Sequence, residues 1–213
     1  MTNIRFSKQV DKKHYFSETY LNNARFLGLQ SQINLSLKLD GINNILEIGP
    51  GPGLYSTLMK NLGFKVTTLD FEKDLSPNVI GSIPDIPFKK NSFDLIAVFE
   101  VLEHIPFLLF EKSILELSRV SRKNIIFSVP SQKKIFASEF YMEIKLGKQK
   151  LKKNFFSRKI NRLTNPEEHY WEIGYSDVTE RLILEKLNNI NFTDVESIFK
   201  DPYFQFFIIK KPD

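Results

Sequence analysis

Apolar positions recur along this chain with two periods. Leu29, Ile33 and Leu37 stand at i, i+4 and i+8, which predicts one face of an amphipathic helix inside a helical lead-in over residues 1–43. Asn44 to Ile48 reads as a short buried strand, with Ile45, Leu46 and Ile48 apolar. The run Gly49-Pro50-Gly51-Pro52-Gly53 follows at once. Leu54, Leu58 and Leu62 then return to helical spacing as far as Gly63, a residue that suits a helix end. Phe64 to Leu69 is a second strand, rich in Val and Thr, and it leads into Asp70. Strand, glycine turn, helix and strand make one βαβ unit.

Residues 71–83 hold little regular pattern. Phe93 to Phe99 is a further apolar strand. Pro106 stands where the next helix would begin, and Phe107, Phe110, Ile114 and Leu117 give that helix its apolar face. Asn124 to Val129 is another strand, stopped by Pro130. Alternation of strands and helices predicts a parallel sheet covered on both faces. Residues 131–170 interrupt the rhythm with a long polar insertion. A last helix is expected from about Ser176, with Ile183, Leu187 and Ile190 on one face. Strands Phe192 to Phe199 and Tyr203 to Ile209 follow, and a connection as short as Asp201-Pro202 permits only an antiparallel hairpin. The expected fold class is therefore α/β: a Rossmann-like, seven-stranded, mostly parallel sheet with an antiparallel C-terminal strand. The expected organisation is one domain: a helical cap (1–43), a core (44–130), an insertion (131–170), and a C-terminal helix and hairpin (171–213).

Composition adjusts this picture. A chain of 213 residues, 42% hydrophobic and 26% charged, is of ordinary globular make-up and long enough to bury a full core. Cysteine is absent, which excludes disulfides, thiolate metal sites and a cysteine nucleophile. His14, His104 and His169 are far apart and lack zinc-ligand spacing, so no metal site is expected. No stretch reaches the length of a membrane span, and Met1 to Asp11 carries charges with no apolar h-region. The expected compartment is the cytoplasm. The net charge of +5 invites a nucleic-acid or membrane-surface reading.

The most informative segment is Glu47-Ile48-Gly49-Pro50-Gly51-Pro52-Gly53. Glycines serve where backbone must approach a ligand and take conformations denied to other residues. The loop lies at the carboxyl end of a strand, where open α/β sheets bind ligands, and Asp70 follows Gly49 by 21 residues, as a ribose-binding acid would. A dinucleotide fingerprint would need glycine at position 54, which is Leu54; glycine falls at 53 instead.

The resulting order, E-x-G-x-G-x-G, is similar to that of S-adenosylmethionine (SAM) sites. Residues 44–130 resemble a class I SAM-dependent methyltransferase core through I-L-E-I-G-P-G-P-G (45–53), T-T-L-D (67–70), I-P-D-I-P-F (83–88), N-S-F-D-L-I (91–96), E-V-L-E-H (100–104), L-S-R-V-S-R (117–122) and I-I-F-S-V-P (125–130). E-H-Y-W-E-I-G-Y (168–175) extends the resemblance to the bacterial small-molecule type. It implies that SAM is the cofactor. It also implies that Glu47 orients the loop near the SAM amino group, and that Gly49, Gly51 and Gly53 pack against the amino-acid portion. Asp70 would hold the ribose hydroxyls, Phe71 would flank the adenine, and Glu100 would line the cleft near the methyl donor. Many relatives end the third strand in G-D; here the pair is Gly81-Ser82, which leaves Ile83 backbone or Asp85 to contact the adenine.

Methyl transfer from a sulfonium is an in-line displacement that the protein accelerates mainly by alignment. A general base is needed only if the acceptor must lose a proton, and His104 is the candidate. The other reading of His104 is a packing or capping residue. His169, Tyr170 and Trp171 are candidates for holding the substrate, since Tyr and Trp offer flat faces with polar tips; the other reading is a packed loop anchor. Residues 133–162 hold ten basic residues and two acids, with Phe136, Phe140, Tyr141, Phe155 and Phe156 interleaved. Without this window the chain has 20 basic and 23 acidic residues. A solvated loop, an anionic-membrane face and a nucleic-acid patch compete with a lid that attracts an acidic acceptor. Nothing resembles an appended RNA-binding module. The resulting expectation is an enzyme that methylates a small-molecule acceptor at oxygen or nitrogen, with saccharides and lipid-linked metabolites among the candidates. An RNA methyltransferase and a catalytically inactive SAM-binding protein are the alternatives.

Overall fold

The computed structural model describes residues 12–132, 168–175, 177–200 and 203–211, together with the backbone course of 136–145 and 148–157. Lys133, Lys134, Arg158, Lys159 and Arg162 of the basic window lie outside the described residues, as does Ser176.

A short turn of helix, Lys12–Tyr15 (α1), precedes Asn23–Leu37 (α2). Asn22 starts α2 by accepting a hydrogen bond from the Arg25 N–H at 3.1 Å, which satisfies one of the orphan donors of a helix start. The buried face is Gly28, Leu29, Gln32, Leu35 and Ser36. It is rotated from the expected Leu29–Ile33–Leu37 stripe, and Leu37 is 48% exposed. Gly28 explains the rotation. A Cβ there would lie 2.8 Å from the Phe204 ring, so α2 packs its glycine directly onto the sheet.

Asn44–Ile48 (β1) is followed by Leu54–Asn61 (α3) and Lys65–Asp70 (β2). The inward side of α3 is Tyr55, Ser56 and Met59, while Leu58 and Leu62 face solvent. Tyr55 goes in because its hydroxyl pairs with that of Ser36 at 2.8 Å inside the core. Val79–Ile80 (β3) is a two-residue strand within a stretch whose sequence showed no pattern. Phe93–Phe99 (β4), Phe110–Val120 (α4) and Ser121–Pro130 (β5) come next. Phe136–Lys145 (β6) and Lys148–Ser157 (β7) form a separate antiparallel ladder, with Glu143 opposite Lys150. Glu180–Asn189 (α5), capped by Thr179, leads to Val195–Lys200 (β8) and Phe204–Lys210 (β9).

The main sheet runs β3-β2-β1-β4-β5-β9-β8. The first five strands pair in parallel, and β9 is antiparallel to both β5 and β8. This is the expected seven-stranded order of chain directions, with a single reversed strand. All seven residues of β4 are buried, as a central parallel strand requires. Leu95, Ala97 and Phe99 face the core under α2 and α3, while Ile96 and Val98 face the core that holds Ile114, Leu117, Ile183 and Leu187. Among the described residues, no helix is long and apolar enough to cross a membrane.

Asp94 ties the lower edge of this sheet. Its carboxylate accepts the N–H groups of Asn43 and Asn44, each at 3.0 Å, and pairs with Arg122. Burial pushes its pKa up, but these donors outweigh it and hold the group below the usual carboxylate range. A carboxylate depressed on folding stabilises the protein above its unfolded pKa, and that stability is lost as pH falls through the folded value. Asp94→Ala should therefore lower the urea midpoint by an amount equivalent to about 1.5–3 kcal/mol near neutrality. Its acid-unfolding limb should be shallower than that of the parent, read by circular dichroism.

Candidate active site

The glycine loop leaves β1 at the carboxyl edge of the sheet. The Gly49 N–H donates to the Leu69 carbonyl at 2.9 Å, which ties the loop to β2. Gly49 has φ +68°, and a Cβ there would stand 2.4 Å from a Val101 methyl group. Position 49 thus demands glycine twice, for its backbone and for its space. Gly51, at φ +51°, faces the ring of Tyr15 and the hydroxyl of Tyr20. Gly53 sits immediately before α3.

Beneath the loop, Glu47 is buried, and its Oε2 has no hydrogen-bond partner among the described residues. Burial pushes its pKa up to about 8, against the opposing pull of Ser56 and Lys60. A buried, unpaired carboxylate oxygen beside a glycine cradle is what a cationic amino group would complete. Asp70, at the end of β2, accepts the Glu72 N–H at 2.9 Å, and burial raises its pKa. Phe71 beside it is partly exposed. The Gly81 N–H donates to the Asp70 carbonyl, which brings the 81–85 turn against the same edge. Ile83 turns its side chain into the core, leaving only its backbone for a ligand, whereas Asp85 is exposed.

Glu100 follows β4 in a left-handed conformation, φ +54°, uncommon outside glycine. Its Oε1 accepts the Ser128 hydroxyl at 2.8 Å. Burial pushes its pKa up, and the Arg25 charge draws it back. Tyr15, Tyr20 and Arg25 come from the cap, with the Arg25 guanidinium 4.3 Å from the Tyr20 ring centre. Tyr15 and Tyr20 close over the loop, whereas Phe16 and Phe26 are exposed. Arg25 carries no local sequence signal, and only the fold brings it to the cleft.

Glu103 and His104 occupy a 3₁₀ turn after β4. The ring of His104 lies 4.8 Å from that of His169, centre to centre. His104 Nδ1 is 3.1 Å from the Glu168 carbonyl; a carbonyl only accepts, so Nδ1 carries the proton and Nε2 the lone pair. Burial first, and His169 second, push the His104 pKa down to about 4. His169 Nδ1 bonds Glu172 Oε1 at 2.7 Å, and Gln132 donates to Glu172 Oε2 at 2.9 Å. Sequence spacing concealed this convergence, although Glu172 stands three residues from His169.

The three residues expected to hold a substrate part company. Trp171 is 1% exposed, donates from Nε1 to the Ile105 carbonyl at 3.0 Å, and packs edge-on against Phe107 and Phe110. Its ring belongs to the core and offers no face to a ligand, which corrects the expectation for this residue. Tyr170 is 57% exposed, and its N–H donates to the Glu103 carbonyl. His169 alone turns toward Glu103 and His104. Trp171→Ala should therefore act on stability, with a loss of about 3–5 kcal/mol in chemical denaturation.

Comparison with known proteins follows the same lines. Residues 46–129 match a family model described as Methyltransferase domain. No curated protein matches the chain. Among solved structures it is similar to a SAM dependent methyltransferase from Archaeoglobus fulgidus, at 14% identity and TM-score 0.61, over 94% of this chain and 100% of the other. It is similar to magnesium protoporphyrin IX methyltransferase from Synechocystis PCC 6803, solved with S-adenosylhomocysteine, at 14% identity and TM-score 0.60, over 94% and 92%. It is also similar to 1,6-didemethyltoxoflavin-N1-methyltransferase from Burkholderia thailandensis, at 12% identity and TM-score 0.58, over 95% and 87%. Residues 46–129 thus match a methyltransferase domain model, and the chain shares the Rossmann-like fold of these SAM-dependent methyltransferases.

Proposed function

We propose that this protein transfers a methyl group from S-adenosylmethionine to a small-molecule acceptor bearing an oxygen or nitrogen nucleophile. The observation that carries the reading is the set of unsatisfied and acid groups gathered at one sheet edge: Glu47 with its unpaired Oε2, the left-handed glycine loop and Asp70. Two structural neighbours are named for small-molecule acceptors, 1,6-didemethyltoxoflavin and magnesium protoporphyrin IX, which favours the same class here.

When bound, SAM supplies a methyl group on a sulfonium sulfur, already reactive. The chain's own residues hold and align. Glu47 receives the amino group, and Gly49, Gly51 and Gly53 lie against the amino-acid portion. Asp70 takes the ribose hydroxyls, Phe71 flanks the adenine, and the backbone at Ile83, with Asp85 nearby, meets its edge. Glu100 lines the cleft beside the methyl group, and Tyr15 and Tyr20 roof the loop against water. A general base works best with a pKa near the working pH. His104, at about 4, is poorly matched to that task, so alignment rather than proton removal by His104 is the reading favoured here. The basic residues of 133–162 would favour an acceptor with negative charge.

Titration calorimetry with S-adenosylhomocysteine should give one site per chain, weakened more than tenfold in Asp70→Ala. Unchanged affinity in that variant would remove Asp70 from the ribose. Incubation with methyl-labelled SAM and a metabolite extract should place label in a low-mass fraction, retained on an anion exchanger. Label in RNA instead would overturn the small-molecule reading, and no transfer despite tight cofactor binding would make the protein a binder without catalysis.

A further inference from the structure

We propose that Glu103, His104 and His169 form a binding site for a divalent first-row transition-metal ion, beside Glu100 at the mouth of the cleft. One ligand atom from each residue lies within 4.8 Å of the others. Three ligands about 2.1 Å from one ion in tetrahedral geometry stand about 3.4 Å apart, so side-chain rotations that close the set by about 1 Å would bring all three onto an ion.

Two independent features point to a cation. The first is Glu103 itself. It is fully buried, and neither carboxylate oxygen has a hydrogen-bond partner among the described residues. Buried carboxylates are ordinarily paired or bound to metal, because leaving one bare costs several kcal/mol. Arg25 acts on Glu103 electrostatically without hydrogen-bonding it, while Glu100 and Glu172 add negative charge around it. The second feature is the orientation of the histidines. His104 gives its Nδ1 proton to the Glu168 carbonyl, and His169 gives its own to the buried Glu172 carboxylate. These are the outer partners that metal-ligating histidines use, and they leave both Nε2 lone pairs free to bind. Gln132 in turn holds Glu172.

Two imidazoles and one carboxylate suit Mn²⁺, Fe²⁺, Co²⁺ or Zn²⁺ better than Ca²⁺ or Mg²⁺, which prefer all-oxygen shells. Three protein ligands leave coordination positions open to water or to an oxygen of the acceptor. The site does not depend on the methyltransferase reading, since none of its ligands is a residue assigned there to SAM.

The test uses the full chain stripped with a chelator. Equilibrium dialysis with Co²⁺ and pulsed electron paramagnetic resonance with Mn²⁺ should find one ion per chain, with nitrogen couplings from imidazole. Binding should weaken at least tenfold in His104→Ala and His169→Ala, and Glu172→Gln should weaken it by about 10–100-fold through the His169 ring. His14→Ala should leave it unchanged. Circular dichroism and S-adenosylhomocysteine binding without metal would establish that each variant is folded. Should Glu103→Gln fail to fold, the two histidine variants decide. No stoichiometric ion, an ion without nitrogen couplings, or binding indifferent to both histidines would overturn the proposal. Cofactor binding that persists in such a protein would leave the methyltransferase reading standing.

Discussion

Burying carboxylates at one edge of a parallel sheet is the constraint on which the site depends. Parallel strands all end at the same edge, so β1, β2 and β4 deliver Glu47, Asp70 and Glu100 together, and the turn after β4 adds Glu103. Like charges in a low dielectric raise one another's pKa and oppose folding. The apolar interior has to outweigh that opposition. The fully buried β4 and the two cores on its faces supply the burial, while the Asp94 anchor and the Glu116–Arg119 clasp on the 86–88 backbone hold the strand ends in register.

The helical cap completes the arrangement. Tyr15, Tyr20 and Arg25 bring aromatic cover and one positive charge to an edge of opposite sign. Burial raises the pKa of the Tyr20 hydroxyl, and the neighbouring Arg25 charge opposes that rise. The close approach of α2 at Gly28 seats the cap, so a packing contact at Phe204 and an electrostatic contact at Glu100 are set by the same helix.

Local demands were legible in the sequence, and tertiary ones were not. Gly49 and Gly51 announce their positive φ by residue type, and β4 announces its burial by an unbroken apolar run. Asp70 stands where the second strand had to end. By contrast, the apolar ridge Leu54–Leu58–Leu62 misleads, because the buried stripe of α3 is set by a hydroxyl pair between Tyr55 and Ser36 that only folding creates. The β6–β7 ladder is only faintly signalled: Phe136, Phe140, Met142 and Ile144 recur at even spacing, but the many lysines of β7 blur the alternation. His104 and His169 are 65 positions apart, so their ring contact follows from chain closure and not from any local pattern.

The two ends of the 131–170 segment are fastened to neighbouring points. Gln132 donates to the Ile173 carbonyl at 2.8 Å, Ile173 donates to that of Pro130 at 3.0 Å, and Tyr170 is held to Glu103 at 2.8 Å. What lies between is, to the rest of the molecule, a closed excursion whose entrance and exit coincide. Doubling the length of such an excursion costs only about 0.6 kcal/mol of closure entropy. Evolution can therefore lengthen, shorten or exchange this segment almost as a cassette while the sheet, the cap and the glycine loop stay as they are.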